Sequence, residues 1–102
     1  MADYVLSKAA EADLDDIYVY SFETFGEPRA DAYFLSLRDC LQTLAERPRM
    51  GRDTSVVHAG LLRHHHARHV VYYLIEDGGV FVVRVLHDAM DAPRHMGAPE
   101  GG

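Results

Sequence analysis

The sequence of 102 residues contains one cysteine, one lysine and no tryptophan, and these shortages exclude several classes of protein. Cys40 has no partner for an internal disulfide, so the cytoplasm is the expected compartment. No run of about 18 apolar residues is present, and we therefore expect no membrane span. Lys8 is the only lysine and the net charge is −6. This argues against nonspecific nucleic-acid binding, because that binding depends on neutralising phosphates.

Charge is unevenly distributed along the chain. Residues 1–47 carry ten acidic and four basic side chains, whereas residues 48–102 carry six of each and all seven histidines. The first half is therefore acidic, and the charge of the second half depends on its histidines. The length suits one domain, which we place at residues 1–96, followed by a disordered tail at residues 97–102.

An Asp-Gly-Gly turn in the second half predicts a β-hairpin. Asp77-Gly78-Gly79 separates two runs rich in Val, Tyr, Ile and Phe, and glycine takes the positive φ angles of a tight turn. Both runs are apolar at almost every position, so both faces of the resulting sheet should be covered. One cover can come from the chain itself and the other from a partner.

Two amphipathic helices before the sheet supply the first cover. Apolar side chains recur every three or four positions in residues 8–25 and again in residues 29–46. Ser7 is the expected N-cap of the first helix, and Gly26 is its expected left-handed C-cap. A connection of two or three residues makes the pair an antiparallel helical hairpin.

The remaining segments complete an α+β layout. Tyr4-Val5-Leu6 is a short apolar run that we expect to add to the sheet as an edge strand. Residues 52–60 are rich in turn formers and are assigned to a loop. The predicted fold is an N-terminal strand and an antiparallel helical hairpin packed on an antiparallel β-sheet.

Arg84 is the only charged residue within the last apolar run. A guanidinium group is costly to bury without a partner, so we expect Arg84 on the open face of the sheet, away from the helices. Strict alternation places its second neighbours on the same open face: Val80, Val82 and Leu86. The residues between them should then face the helices: Phe81, Val83 and Val85.

Five short segments, in this order and spacing, resemble the ParE toxins of the RelE/ParE superfamily. They are Ala12-Asp13-Leu14-Asp15-Asp16-Ile17, Pro48-Arg49-Met50-Gly51, Gly60-Leu61-Leu62-Arg63, Arg68-His69-Val70-Val71-Tyr72-Tyr73, and Val83-Arg84-Val85-Leu86-His87 with Met90-Asp91. The resemblance implies the toxin of a type II toxin–antitoxin pair, neutralised by a ParD-like antitoxin. It further implies inhibition of DNA gyrase by binding alone, and we expect no cofactor or metal.

The resemblance and the predicted open face together nominate contact residues. Candidates for gyrase contact lie in and after the last strand: Arg84, His87, Asp91, Arg94 and His95. Candidates for antitoxin contact lie on the first helix and the sheet: Tyr18, Phe22, Leu61, Arg63, Tyr73, Val80, Val82, Arg84 and Leu86. An apolar patch beside an arginine is typical of a partner site, so we expect an acidic antitoxin side chain near Arg63 or Arg84.

Two other functions remain open. RelE-like relatives cleave mRNA on the ribosome, and His87 matches the place where some of them keep an acid–base residue. Arg84 and His87 are separated by an odd offset, so they share a site only if the strand twists or bulges between them. The second alternative is a module that has lost toxicity and only binds its antitoxin.

The run of histidines has two interpretations. On a strand, His64 and His66 share one face while His65 points away. Two histidines without a nearby cysteine make a weak zinc site, so we interpret them as a solvated, pH-sensitive face.

Overall fold

The computed structural model of this protein describes residues 2–89. The elements are β1 (Asp3–Leu6), α1 (Lys8–Phe25), α2 (Glu27–Glu46), a short 3-10 helix (Pro48–Met50), β2 (Arg52–Asp53), β3 (Leu62–His66), β4 (His69–Glu76) and β5 (Gly79–His87). All five strands form one sheet in the order β1-β5-β4-β3-β2. The predicted boundary between domain and tail, after residue 96, lies outside the described residues.

The helices begin and end close to the predicted positions. The Ala10 amide donates to the Ser7 hydroxyl at 2.9 Å, which confirms Ser7 as the N-cap of α1. Gly26 ends α1 with a φ of 90°, and its amide donates to the Phe22 carbonyl. Its ψ of 168° is extended rather than left-handed helical, so α2 begins at the next residue, with Pro28 in its first turn.

The predicted hairpin is confirmed, because β4 and β5 pair antiparallel across the Asp77–Gly78 turn. Two details differ from the predicted sheet. β1 pairs parallel with β5, so the sheet is mixed rather than wholly antiparallel. Arg52–Asp53, assigned to a loop, forms the two-residue strand β2 against β3. Two polar residues are too short a run to carry a strand pattern.

Parallel pairing of β1 with β5 brings two backbones into close contact. The Asp3 amide donates to the Gly78 carbonyl at 2.8 Å. A side chain at Gly79 would place its Cβ 1.6 Å from the Asp3 carbonyl oxygen, and Gly79 has a φ of 155°. Only glycine fits this position.

The principal core lies between the helical hairpin and the sheet. Its fully buried members include residues of α2, β4 and β5: Leu37, Leu41, Leu44, Val71, Tyr73, Val80 and Val82. A second buried cluster covers part of the opposite face of the sheet: Leu61, Val70, Tyr72 and Leu86, with Val57, Leu74 and Val83 packed against it. The loop before β3 supplies Val57, so the chain itself contributes to both covers.

A β-bulge overturns the predicted alternation of β5. Tyr72 pairs with Arg84 and Tyr73 pairs with Val82, which leaves Val83 as an extra residue. The prediction that Val80 and Val82 lie on the open face is therefore wrong, since both belong to the core under the helices. Val83 was expected under the helices and instead packs on the opposite cluster, whereas Val85 faces the helices as predicted.

Within residues 2–89, neither helix combines the length and apolar character that crossing a bilayer requires.

Candidate functional site

Arg84 of β5 forms an ion pair with Asp13 of α1. Its Nε and Nη2 donate to the two carboxylate oxygens of Asp13 at 2.7 and 2.8 Å. The Arg84 side chain is 22% exposed and that of Asp13 is 10% exposed. Hydrogen bonding to Asp13 raises the pKa of Arg84 further above its ordinary value. Arg84 pairs in the register with Tyr72 of the second buried cluster, so it lies on the face away from the helices as expected. The prediction missed its carboxylate partner, which removes the cost of burying the guanidinium group.

Asp13 also completes the edge of the sheet where β1 ends. The Val85 amide donates to Asp13 Oδ2 at 2.9 Å, and the Ser7 amide and hydroxyl bond to the Val82 and Val83 carbonyls. Ser7 and Asp13 therefore supply the hydrogen-bond partners that the backbone of a longer β1 would have given to β5. This role of Asp13 was not predicted from the sequence. A signal was available, because Asp13 occupies the apolar stripe of α1, three residues after Ala10 and four before Ile17.

His87 lies at the end of β5 in a row of histidines. Its ring meets that of His69 edge-on at 5.6 Å, and its Nδ1 accepts from the Ala89 amide at 3.1 Å. Asp88 Oδ1 also approaches Nδ1 at 3.3 Å, but a nitrogen that accepts from Ala89 carries no proton for Asp88. The Ala89 amide can only donate, so His87 Nδ1 is the acceptor and the ring proton of neutral His87 lies on Nε2. His87 Nδ1 thus caps the turn that follows β5.

The other helix-facing histidines pack beneath α2. The Tyr33 hydroxyl lies 2.7 Å from His69 Nδ1, and the Ser36 hydroxyl lies 3.0 Å from His66 Nε2. Burial, followed by the neighbouring histidines, lowers the pKa of both rings. The interpretation of a solvated face is wrong for His66, because α2 covers it. Within residues 2–89, no group of three or more His, Cys, Asp or Glu side chains is arranged to hold a metal ion.

Several antitoxin-contact candidates are part of the core of the isolated chain. Tyr73 is completely buried and its hydroxyl donates to the Pro48 carbonyl at 2.7 Å. The others are at most 3% exposed: Leu61, Val80, Val82 and Leu86. Apolar strands predict burial equally well in a core and in an interface, so their sequence could not distinguish the two.

Tyr18 and Phe22 lie on the outer side of the helical hairpin. The Tyr18 hydroxyl donates to Asp31 of α2 at 2.7 Å, and the Tyr18 ring meets Phe34 edge-on at 5.9 Å. Phe22 is 47% exposed and its ring lies 6.2 Å from that of Tyr18. These aromatic side chains are available to a partner.

Arg63 is exposed on β3. It lines a groove of about 350 Å³ together with Met50, Arg52, His64, His65 and Val70. Arg63 and Arg84 are both register partners of Tyr72, so the two arginines lie on the same face of the sheet with one strand between them. Arg84 differs in being held by Asp13. The remaining gyrase-contact candidates lie outside the described residues: Asp91, Arg94 and His95.

Comparison with known proteins identifies the family. Residues 4–92 match the family described as ParE toxin of type II toxin-antitoxin system, parDE. The chain belongs to the ParE toxin family. A ParE toxin is the toxin component of a toxin–antitoxin system, which confirms the assignment made from the five sequence segments.

Two relatives and one solved structure support the assignment. Toxin ParE1 of Caulobacter vibrioides is 39% identical over 97 residues, which cover 95% of this chain and 100% of the relative. Toxin ParE1 of Mycobacterium tuberculosis is 32% identical over 94 residues, with 91% and 96% covered. A structure of the chromosomal ParDE TA system from P. aeruginosa matches with a TM-score of 0.71 at 16% identity, over 85% of this chain and 96% of that chain. This likeness confirms the α+β fold of the ParE toxin.

Proposed function

We propose that this ParE toxin inhibits DNA gyrase by binding it, without catalysis of its own, and that a ParD-like antitoxin neutralises it. The observation that carries the proposal is the family match along residues 4–92. A target that acts on the chromosome places the toxin in the cytoplasm.

The state of Arg84 and His87 favours binding over mRNA cleavage. RNA cleavage requires a cation at the phosphate and a group that can transfer protons. The Arg84 guanidinium is occupied by Asp13, and His87 Nδ1 accepts from the Ala89 backbone. The cation that a RelE-like mechanism would place at the phosphate therefore already has an internal carboxylate partner.

Two separate surfaces serve the two proposed partners. The gyrase surface is the end of β5, with His87 and the candidates that follow it: Asp91, Arg94 and His95. The antitoxin surface includes the exposed aromatic side of the helical hairpin, with Tyr18 and Phe22, and extends to Arg63. The buried candidates support these surfaces from beneath and make no direct contact.

Supercoiling and DNA-cleavage assays with purified gyrase test the proposal. We expect the folded toxin to inhibit supercoiling and to leave translated mRNA intact. His87→Ala should weaken inhibition, whereas His58→Ala, in the exposed loop before β3, should not. Circular dichroism checks that both variants are folded.

Other results of these assays would support one of the two alternative functions or change the proposed gyrase surface. Ribosome-dependent cuts in mRNA, with gyrase unaffected, would establish the nuclease. Binding to the antitoxin with no effect on gyrase or mRNA would establish a module without toxicity. Equal inhibition by wild type and His87→Ala would remove the end of β5 from the gyrase surface.

A further inference from the structure

Two arginines face each other across the short ladder between β2 and β3. Arg52 and Arg63 are direct partners in the register, so their side chains project from the same face of the sheet. Like charges directly opposite each other destabilise a sheet. Both arginines are exposed, and within residues 2–89 neither forms an ion pair. Asp53, beside Arg52, accepts from the amide of Ser55 at 3.0 Å and from its hydroxyl. A chain with a net charge of −6 thus concentrates positive charge here.

The backbone edge beside this pair is open. The Thr54 amide donates to the Leu61 carbonyl at 2.9 Å, and antiparallel ladder bonds alternate along a strand. Counting two residues along the ladder, Arg52 and Arg63 form the next hydrogen-bonded pair. Two residues further along β3, the amide and carbonyl of His65 point toward the same side of the strand. β2 begins at Arg52, so no strand within residues 2–89 reaches His65 on that side. An open strand edge is a template for a further strand.

The groove joins these two features. Its lining includes the arginine pair, His65 and Met50, which lies two residues before β2 on the open side of β3. A peptide in this position can pair its backbone with His65 and direct alternate side chains toward the arginines. The planar guanidinium groups suit a carboxylate, which each can bind through two hydrogen bonds.

We infer that the outer edge of β3 receives an extended acidic segment of a partner protein, with a carboxylate between Arg52 and Arg63. The inference rests on the proposed function, since the antitoxin is the partner that would supply the segment. Backbone pairing at His65 favours a peptide over a nucleic acid, because phosphates cannot continue a β-ladder.

A labelled peptide of alternating Glu and Val, about ten residues long, is the probe. Fluorescence anisotropy measures its affinity for the folded toxin. Arg52→Gln/Arg63→Gln should weaken binding by about tenfold, and added salt should weaken wild-type binding in the same direction. Arg29→Gln/Arg38→Gln, on the exposed side of α2, removes the same charge and should leave the affinity unchanged.

Hydrogen exchange locates the peptide. The His65 amide should exchange rapidly in the free toxin and become protected when the peptide binds. Equal losses in the two double variants, an unprotected His65 amide, or tighter binding of a single-stranded oligonucleotide than of the peptide would overturn the inference. Gyrase is absent from the assay, so peptide binding can fail while gyrase inhibition persists, and inhibition can fail while the peptide still binds.

Discussion

Two adjacent glycines in the β4–β5 turn differ in what a methyl group would meet. At Gly79 it would collide with the Asp3 backbone, whereas at Gly78, with a φ of 81°, nothing lies within 4 Å. We expect Gly79→Ala to lower the free energy of unfolding by about 2–4 kcal/mol, because β1 must separate from β5. Gly78→Ala should cost only about 1–2 kcal/mol, for a left-handed backbone conformation.

Urea unfolding followed by circular dichroism measures both glycine variants. Equal losses at the two positions would show that backbone conformation, rather than the contact with Asp3, determines the choice of glycine.

The ion pair between α1 and β5 should be one of the larger single contributions to stability. Asp13→Ala leaves Arg84 without its carboxylate and Val85 without an acceptor, so we expect a loss of about 3 kcal/mol. Arg84→Ala should cost less, about 2 kcal/mol, because Asp13 keeps its bond to the Val85 amide. Arg38→Ala, on the exposed side of α2, is the control and should change stability by less than about 0.5 kcal/mol.

Chemical denaturation of the two single variants and the double variant gives the coupling energy. A coupling energy near zero would mean that Asp13 and Arg84 act independently. If antitoxin affinity falls in Arg84→Ala without any loss of stability, the residue belongs to a binding surface after all.

Among the elements, those with strong periodicity or turn chemistry were predictable. The apolar stripes of α1 and α2, the Ser7 cap and the Asp77–Gly78 turn each have a local cause that sequence reveals. The bulge at Val83 has none, because one extra residue leaves no trace in a run that is apolar at almost every position. That single residue reversed the predicted faces of four residues: Val80, Phe81, Val82 and Val83.

Contact between α2 and the histidine row should make stability depend on pH. His69 faces Tyr33 of α2, His66 of β3, and His87 and Asp88 at the end of β5. Burial first, and the neighbouring histidines second, lower the pKa of His69 and His66, while Asp88 acts in the opposite direction on His69. The Tyr33 hydroxyl can donate or accept, so its bond to His69 persists in both protonation states.

The direction of the pH effect follows from the lowered pKa values. The unfolded chain takes up these protons near pH 6.5, before the native state does. Stability should therefore be complete above about pH 6.5 and fall as the pH drops through the lower native pKa values. His69→Gln should flatten this dependence in thermal melts between about pH 7.5 and 5.5, and the exposed His58→Gln should not. Parallel slopes for wild type and His69→Gln would remove His69 as a cause.

At the scale of the whole molecule, Cys40 reports global unfolding. It is the only cysteine, lies on the buried face of α2, and is 9% exposed. Burial raises the pKa of its thiol, which further slows reaction because the thiolate is the nucleophile. We expect iodoacetamide to label the native protein very slowly and labelling to rise with urea in parallel with the loss of helical signal. Labelling of the native state at the rate of a free thiol would show that α2 opens locally.

The candidate site was less predictable than the fold. Tyr73 and Leu61 were nominated as contacts because apolar side chains suit an interface, and the structure buries both inside the chain. The contribution of Val57 to the second cover could not be anticipated, since a loop has no periodicity. Arg63, nominated for antitoxin contact, is exposed on β3, but its partner in the register, Arg52, lies in a strand too short to predict.

The order of strands has a consequence for how the toxin is made. Among the strands of residues 2–89, β1 is synthesised first and β5 last, yet β5 is the one strand that pairs with β1. The residue that pairs with Asp13 of α1 also lies in β5. A chain still being translated, at about 5–20 residues per second, therefore lacks both closing contacts until residue 87 has left the ribosome. Translation therefore sets a minimum time before the toxin can complete its fold. A chain that ends before β5 lacks both the β1–β5 pairing and the ion pair of Asp13.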